Sequence, residues 1–204
     1  MANTDPFSSK RLIISPMPSF VDMTVKQSNA INSHAVIGNA VEDDLLLQIL
    51  AEVQTLLTPA TTAYLPPDWG KVNNIISVKH WCQQRANEGG FYGIWHKADN
   101  QLIGLVFLSP VSAETAEMHI GYLLRESRWG QGYGGELIAA LITWARHQVN
   151  INTLIAGVEA QNLASVAILE KNGFNMMPSG IDSKNKVTKP EVGTIFMQRQ
   201  LNKL

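Results

Sequence analysis

The chain has 204 residues, 45% of them hydrophobic and 16% charged, which is ordinary for a globular protein and enough to bury one sizeable core. Lys+Arg 16 against Asp+Glu 17 gives a net charge of -1, which excludes a broad basic footprint for nucleic acid or an anionic membrane. There is no basic-then-apolar secretory pattern at the start, no apolar run near the roughly 20 residues that span a bilayer, and only one cysteine, so a soluble cytoplasmic protein without internal disulfides is expected.

Residues 1–40 read as an irregular segment, broken by Pro6, Pro16 and Pro18, with one strand at 12–14 or 23–26. It is expected to pack on a single domain formed by residues 41–204. Leu45, Leu46, Ile49, Leu50, Val53, Leu56 and Leu57 recur at helical spacing over 42–57, and the pattern stops before Pro59. After the turn-rich stretch 64–70, a second helix is predicted over 74–87, ending at Gly89-Gly90. Cys82 falls inside that pattern and reads as a packing residue. The runs 91–96 and 102–108 flank a hairpin-like turn at 97–101, and a strand at 116–124 extends the meander. A helix over 134–149 turns Leu137, Ile138, Leu141, Ile142, Trp144 and Ala145 inward, and a short apolar strand follows at 153–159. Strand, helix, strand predicts a parallel crossover. Asn162 opens a last helix to about Lys171, closed by Asn172-Gly173, and 192–201 alternates as a final strand.

The most informative stretch runs from Gly121 through Arg128-Trp129-Gly130-Gln131-Gly132-Tyr133-Gly134-Gly135 to Leu137, a strand, a glycine-rich turn and a helix start. Such a turn presents free N–H groups at the positive end of the helix dipole, which suits a pyrophosphate. Gly130 to Gly135 satisfies G-x-G-x-x-G, with Glu159 near where a dinucleotide's ribose ligand would stand. Three observations oppose a dinucleotide fold. Residues 125–129 separate the glycines from their strand, about 70 residues remain afterwards, and the preceding strands look antiparallel. No Lys-Ser or Lys-Thr follows the glycines, so a nucleotide-triphosphate loop is also excluded.

Three segments together resemble the GNAT superfamily of acetyl-CoA-dependent N-acetyltransferases, in particular its Rim-type branch of ribosomal-protein N-terminal acetyltransferases. Ile120-Gly121-Tyr122-Leu123-Leu124 is similar to the family's central strand, Trp129 to Gly134 to its pyrophosphate loop, and Asn162-Leu163-Ala164-Ser165 through Gly173-Phe174 to its second cofactor segment. The resemblance implies an α/β architecture of the GNAT type: a mixed, mostly antiparallel sheet, splayed at one parallel strand pair, with helices on both faces. It implies that N–H groups of Gln131, Gly132, Tyr133, Gly134 and Gly135 hold the pyrophosphate of acetyl-CoA. Main chain at Leu123, Leu124 and Arg125 would pair with the pantetheine arm, and Asn162 would reach its amide or thiol end, a role compatible with capping the helix. Trp129 stands where the family usually has Gln or Arg.

Transfer to an amine needs a neutral nucleophile, a polarised carbonyl and a proton for the departing thiolate. Glu117 and His119 lie two apart on the central strand and so share a face, and they are alternative bases. Many Rim-type relatives carry a glutamate where this chain has His119. Where many superfamily members use a tyrosine as acid, this chain has Leu169, and the resemblance implies Ser165 instead. The expected partners are acetyl-CoA and an amine acceptor, with a homodimer as an open arrangement; His34, His80, His96 and His147 show no metal-ligand spacing. The acceptor expected is a protein or peptide α-amine, with a small-molecule amine as the alternative. Leu169 and the displaced glutamate also keep open a non-catalytic acyl-CoA sensor.

Overall fold

Apolar residues alternate along the strands and fall into two cores, one on each side of a single sheet, so the sheet is buried on both faces. A computed structural model describes residues 5–19, 40–112, 115–178 and 193–202. The elements in chain order are β1 (Phe7–Ser8), β2 (Leu12–Pro16), α1 (Ala40–Leu56), α2 (Pro59–Thr62), a 3-10 turn (Pro67–Gly70), α3 (Ile75–Glu88), β3 (Gly90–His96), β4 (Leu102–Ser112) and β5 (Glu117–Leu124). After a second 3-10 turn (Glu126–Arg128) come α4 (Tyr133–Arg146), β6 (Thr153–Glu159), α5 (Leu163–Lys171), β7 (Asn175–Met176) and β8 (Thr194–Gln200). The strands lie in the order β1-β2-β3-β4-β5-β6-β8-β7. Every neighbouring pair is antiparallel except β5 and β6, which are parallel. This is the mixed, mostly antiparallel GNAT-type sheet that the sequence motifs led us to expect.

The expected helices and strands are present with small shifts at their ends. Asn74 caps α3 by accepting from Ser77 N, and Asn162 caps α5 by accepting from Ser165 N. α4 ends at Arg146 rather than 149, and its six predicted inward residues are all buried. On α1, Ile49, Leu50, Val53 and Leu56 are buried, as is Leu57 just after it, whereas Leu45 is 56% exposed. β4 is longer than predicted and carries two irregularities. Ile103 is the extra residue of a bulge opposite Ile94 and Trp95, which reverses the alternation between the two cores along the strand. The second lies at Pro110 to Ser112, where a proline cannot donate to the ladder. The strands β1 and β7 and the helix α2 are too short to carry a period and were not predicted; the strand expected at 23–26 lies outside the described residues.

Two faces result. α4 and α5 cover one, over Ile120, Leu124, Leu154 and Ala156, and α1 and α3 cover the other, over Phe91, Leu105 and Leu123. Gly134 lets α4 approach α5, since a Cβ there would stand 2.6 Å from Ile168 Cδ1. Gly104 lets β4 approach β5, since a Cβ there would stand 2.4 Å from Leu123 O.

Candidate active site

The parallel pairing of β5 and β6 runs from Glu117 opposite Thr153 to Ile120 opposite Ala156 and stops there, although β5 continues to Leu124 and β6 to Glu159. The two strands therefore part at the middle of the sheet. On its other edge β5 stays paired with β4 to the end, and Arg125 N donates to Ile103 O at 2.7 Å. Main-chain groups alternate between neighbours, so those of Arg125 and Leu123 serve β4 and those of Tyr122 and Leu124 face the gap. Of the stretch Leu123 to Arg125 expected to pair with pantetheine, Leu124 is the residue so directed. The Leu124 carbonyl accepts from Trp129 Nε1 at 2.7 Å, which folds the loop back onto the strand end and leaves the Leu124 N–H facing the gap. The Arg125 side chain turns away to α1, donating to Glu52 Oε2 at 2.7 Å and Thr55 Oγ1 at 3.0 Å.

The loop after β5 ends in a left-handed glycine. Gly132 is the N-cap of α4 with φ 81°, and no side chain caps the helix, so its first amides point outward unpaired. A Cβ at Gly130 or Gly135 would meet nothing within 4 Å, so space lies open in front of these amides. Gln131, Gly132, Tyr133, Gly134 and Gly135 thus form a cradle of the kind an anion requires.

This cradle is braced from the β1–β2 turn and from the end of β3 with the turn after it, neither of which the sequence connected with it. Ser9 Oγ and Arg11 N donate to Glu136 Oε1, and Arg11 Nε donates to Oε2, all at 2.6 Å. The Arg11 guanidinium also lies 4.0 Å over the Tyr133 ring and donates to Gln131 O at 3.1 and 3.2 Å. Burial opposes the charge on Glu136, but the bonds from Ser9 and Arg11 outweigh it and hold the carboxyl below its usual pKa. On the other side, the Tyr133 hydroxyl meets His96 Nε2 at 3.1 Å and His96 Nδ1 meets Asp99 Oδ1 at 2.8 Å. Arg128 Nη2 donates to Asp99 Oδ2 at 2.6 Å and to Gln101 Oε1 at 2.8 Å. The His96 bond, followed by those from Arg128 and the Gln101 amide, holds the Asp99 carboxyl well below the carboxylate range.

Glu117 and His119 project from β5 on the face of α1 and α3, because Met118 and Ile120, which alternate with them, are buried on the opposite face. The His119 ring lies 6.1 Å from that of Phe196 on β8, which is 46% exposed. His119 sits one row before the strands part. Ser165 lies on the other face, in the first turn of α5, and its hydroxyl is 3.2 Å from that of Tyr122. Asn162 Oδ1 is occupied by Ser165 N at 3.2 Å, so contact with a ligand falls to its Nδ2. Tyr122 is the residue that sequence reading quoted only as motif. A tyrosine on the core face of a central strand needs a partner for its hydroxyl, and that was the available signal. Cys82 is buried in the α1/α3 core, and burial pushes its thiol up to about 12.

Residues 40–175 match the family model described as an acetyltransferase (GNAT) domain. The Bacillus subtilis protein named "Probable N-acetyltransferase YjcK" is 35% identical over 97 residues, covering 46% of this chain and 51% of that protein. "Uncharacterized N-acetyltransferase p20" of Bacillus licheniformis is 27% identical over 118 residues, covering 58% of this chain and 62% of its own length. The chain thus spans less than two thirds of the length of these curated relatives. Among solved structures, a GNAT-family acetyltransferase from Bacillus anthracis superposes with a TM-score of 0.65 at 13% identity, over 96% of this chain and 98% of that one. A RimL ribosomal-protein alpha-N-acetyltransferase in complex with coenzyme A gives 0.62 at 16% identity, over 96% and 98% of the two chains. At these identities the likeness is one of fold.

Proposed function

The chain belongs to the GNAT acetyltransferase family, and from that premise we propose that it moves an acetyl group from acetyl-CoA to a primary amine held in the same complex. The observation that carries this reading is the parting of β5 and β6 after Ile120 and Ala156, beside an uncapped helix start. The main-chain groups of Tyr122 and the Leu124 N–H, which lie past the last β5–β6 pair, suit the amides of pantetheine, and the amides of residues 131–135 suit its pyrophosphate. An acyl group lying in the gap is open to both faces of the sheet. On the α1/α3 face His119 or Glu117 takes the proton from the acceptor amine. On the opposite face the hydroxyls at Ser165 and Tyr122 serve the sulfur. Base and acid then act from opposite faces, one on the attacking amine and the other on the departing sulfur, without competing for one proton.

The acceptor is an α-amine of a protein or peptide. At pH 7 roughly a tenth of such amines, of pKa about 7.7–8.0, is neutral, against about one in 2,500 for a lysine-like amine of pKa about 10.4. An α-amine therefore makes the smaller demand on a base drawn from Glu117 and His119. Fold neighbours are named both as an alpha-N-acetyltransferase of a ribosomal protein and as a phosphinothricin N-acetyltransferase, so the choice rests on the protonation argument. The test is turnover of Glu117→Gln and His119→Ala with an N-terminal peptide acceptor. At least one is expected to lose tenfold or more in kcat with acetyl-CoA affinity unchanged. Wild-type rates in both would remove these residues from the chemistry.

A further inference from the structure

A departing thiolate needs an acid of matching strength. The thiolate of a thiol of pKa about 8.5 lies far closer in proton affinity to a phenol of pKa about 10 than to an aliphatic alcohol, which resembles water at about 15.7 and is a poor source by itself. Ser165 therefore cannot supply the proton unaided. Its hydroxyl is 3.2 Å from the Tyr122 hydroxyl, which is delivered from β5, two residues past the last β5–β6 pair, on the face of α4 and α5. The other described tyrosines lie elsewhere. Tyr133 meets His96, Tyr92 packs beside Phe7, and Tyr64 is exposed beyond α2.

Building on the acetyl-transfer reading, we propose that Tyr122 is the proton source for the departing thiolate, acting through Ser165 as relay. As the carbon–sulfur bond breaks, the Ser165 O–H proton moves to sulfur and forms the thiol, while the Tyr122 proton moves to the Ser165 oxygen. The phenolate left behind regains its proton from water, and the hydroxide formed is neutralised by the proton the acceptor amine gives up. The sum is acetyl-CoA plus amine to amide plus CoA thiol. Burial raises the Tyr122 pKa, more than the Ser165 bond lowers it, so the phenol carries its proton at neutral pH and is a weaker acid than a free phenol.

The test compares Tyr122→Phe, Ser165→Ala and the double variant in kcat, in CoA affinity and across pH. Each single change is expected to lower kcat at least tenfold with CoA affinity within twofold, and the double to be no worse than the worse single, because the pair acts as one unit. The alkaline fall of the wild-type rate is expected to vanish in Tyr122→Phe. Wild-type turnover in Tyr122→Phe, or losses that multiply in the double, overturns the proposal. A second readout needs no turnover: ultraviolet titration of tyrosinate with CoA and with desulfo-CoA. CoA alone is expected to shift one tyrosine titration, and Tyr122→Phe to abolish that shift. A wild-type protein that releases no CoA with any acceptor would remove the transfer reading, and the absence of a thiol-dependent shift would separately remove Tyr122.

Discussion

Replacing Gly135 by alanine is expected to stabilise the protein and weaken its hold on CoA. Gly135 lies in the first turn of α4, has no positive φ, and a Cβ built on it meets nothing within 4 Å. The free protein thus gains the helix preference of alanine, about 1 kcal/mol in a helix interior and about half that near an end. For a domain of this size that is a rise in Tm of roughly 1–4 °C, read by calorimetry. The new Cβ leans toward the helix start, into the space before the unpaired amides. A phosphate held there through charge-assisted bonds of about 1.5–3 kcal/mol each would be displaced from at least one, so the CoA Kd is expected to rise about tenfold or more in titration calorimetry. Gly130→Ala is the control of opposite sign, because φ 70° there imposes roughly 1–2 kcal/mol of strain and lowers Tm. A stabilised Gly135→Ala protein with CoA affinity within twofold of wild type would refute the cradle.

Glu136→Gln tests the brace beneath the loop. Because the Glu136 carboxyl is held below its usual pKa, its contribution is present above the ordinary carboxylate value of about 4.3 and is lost as pH falls through the folded value, so the wild-type advantage over the variant should shrink in denaturant melts below about pH 5. An advantage that grows toward acid would contradict the assigned bonds. Cys82, fully buried with its thiol raised to about 12, is expected to stay unreactive toward a thiol reagent until the protein is unfolded, and native-state labelling would place it outside the core. Gly104→Ala drives a Cβ to 2.4 Å from Leu123 O and should cost about 1–3 kcal/mol or more in chemical denaturation, with an unchanged midpoint arguing against the close approach of β4 and β5.

Sequence reading recovered what local pattern encodes. α1, α4 and β6 carry long apolar repeats, and Asn74, Asn162 and Gly173 mark helix ends by chemistry that acts within a few residues. The elements it missed, β1, β7 and α2, hold two to four residues each and exist because a neighbour completes their bonds. The bulge at Ile103 was hidden for the same reason, since only the partner strand defines the extra residue. In the site, the glycine loop was visible because glycine announces a backbone requirement. The Tyr122–Ser165 contact, 43 residues apart in the chain, and the Arg11–Glu136 brace, 125 apart, arise only when the sheet assembles. The same assembly fixes which of Leu123, Leu124 and Arg125 faces the gap, because β4 takes every second main-chain pair.

The most direct test of acetyl transfer is release of free CoA from acetyl-CoA, followed with a thiol reagent across N-terminal peptides, polyamines, aminoglycosides and amino acids. The buried Cys82 keeps the protein's own thiol from contributing in the native state. The expected result is acceptor-dependent release, fastest with a peptide α-amine. Tight binding of acetyl-CoA with no release for any acceptor would contradict the transfer reaction and leave a protein that holds the thioester without spending it.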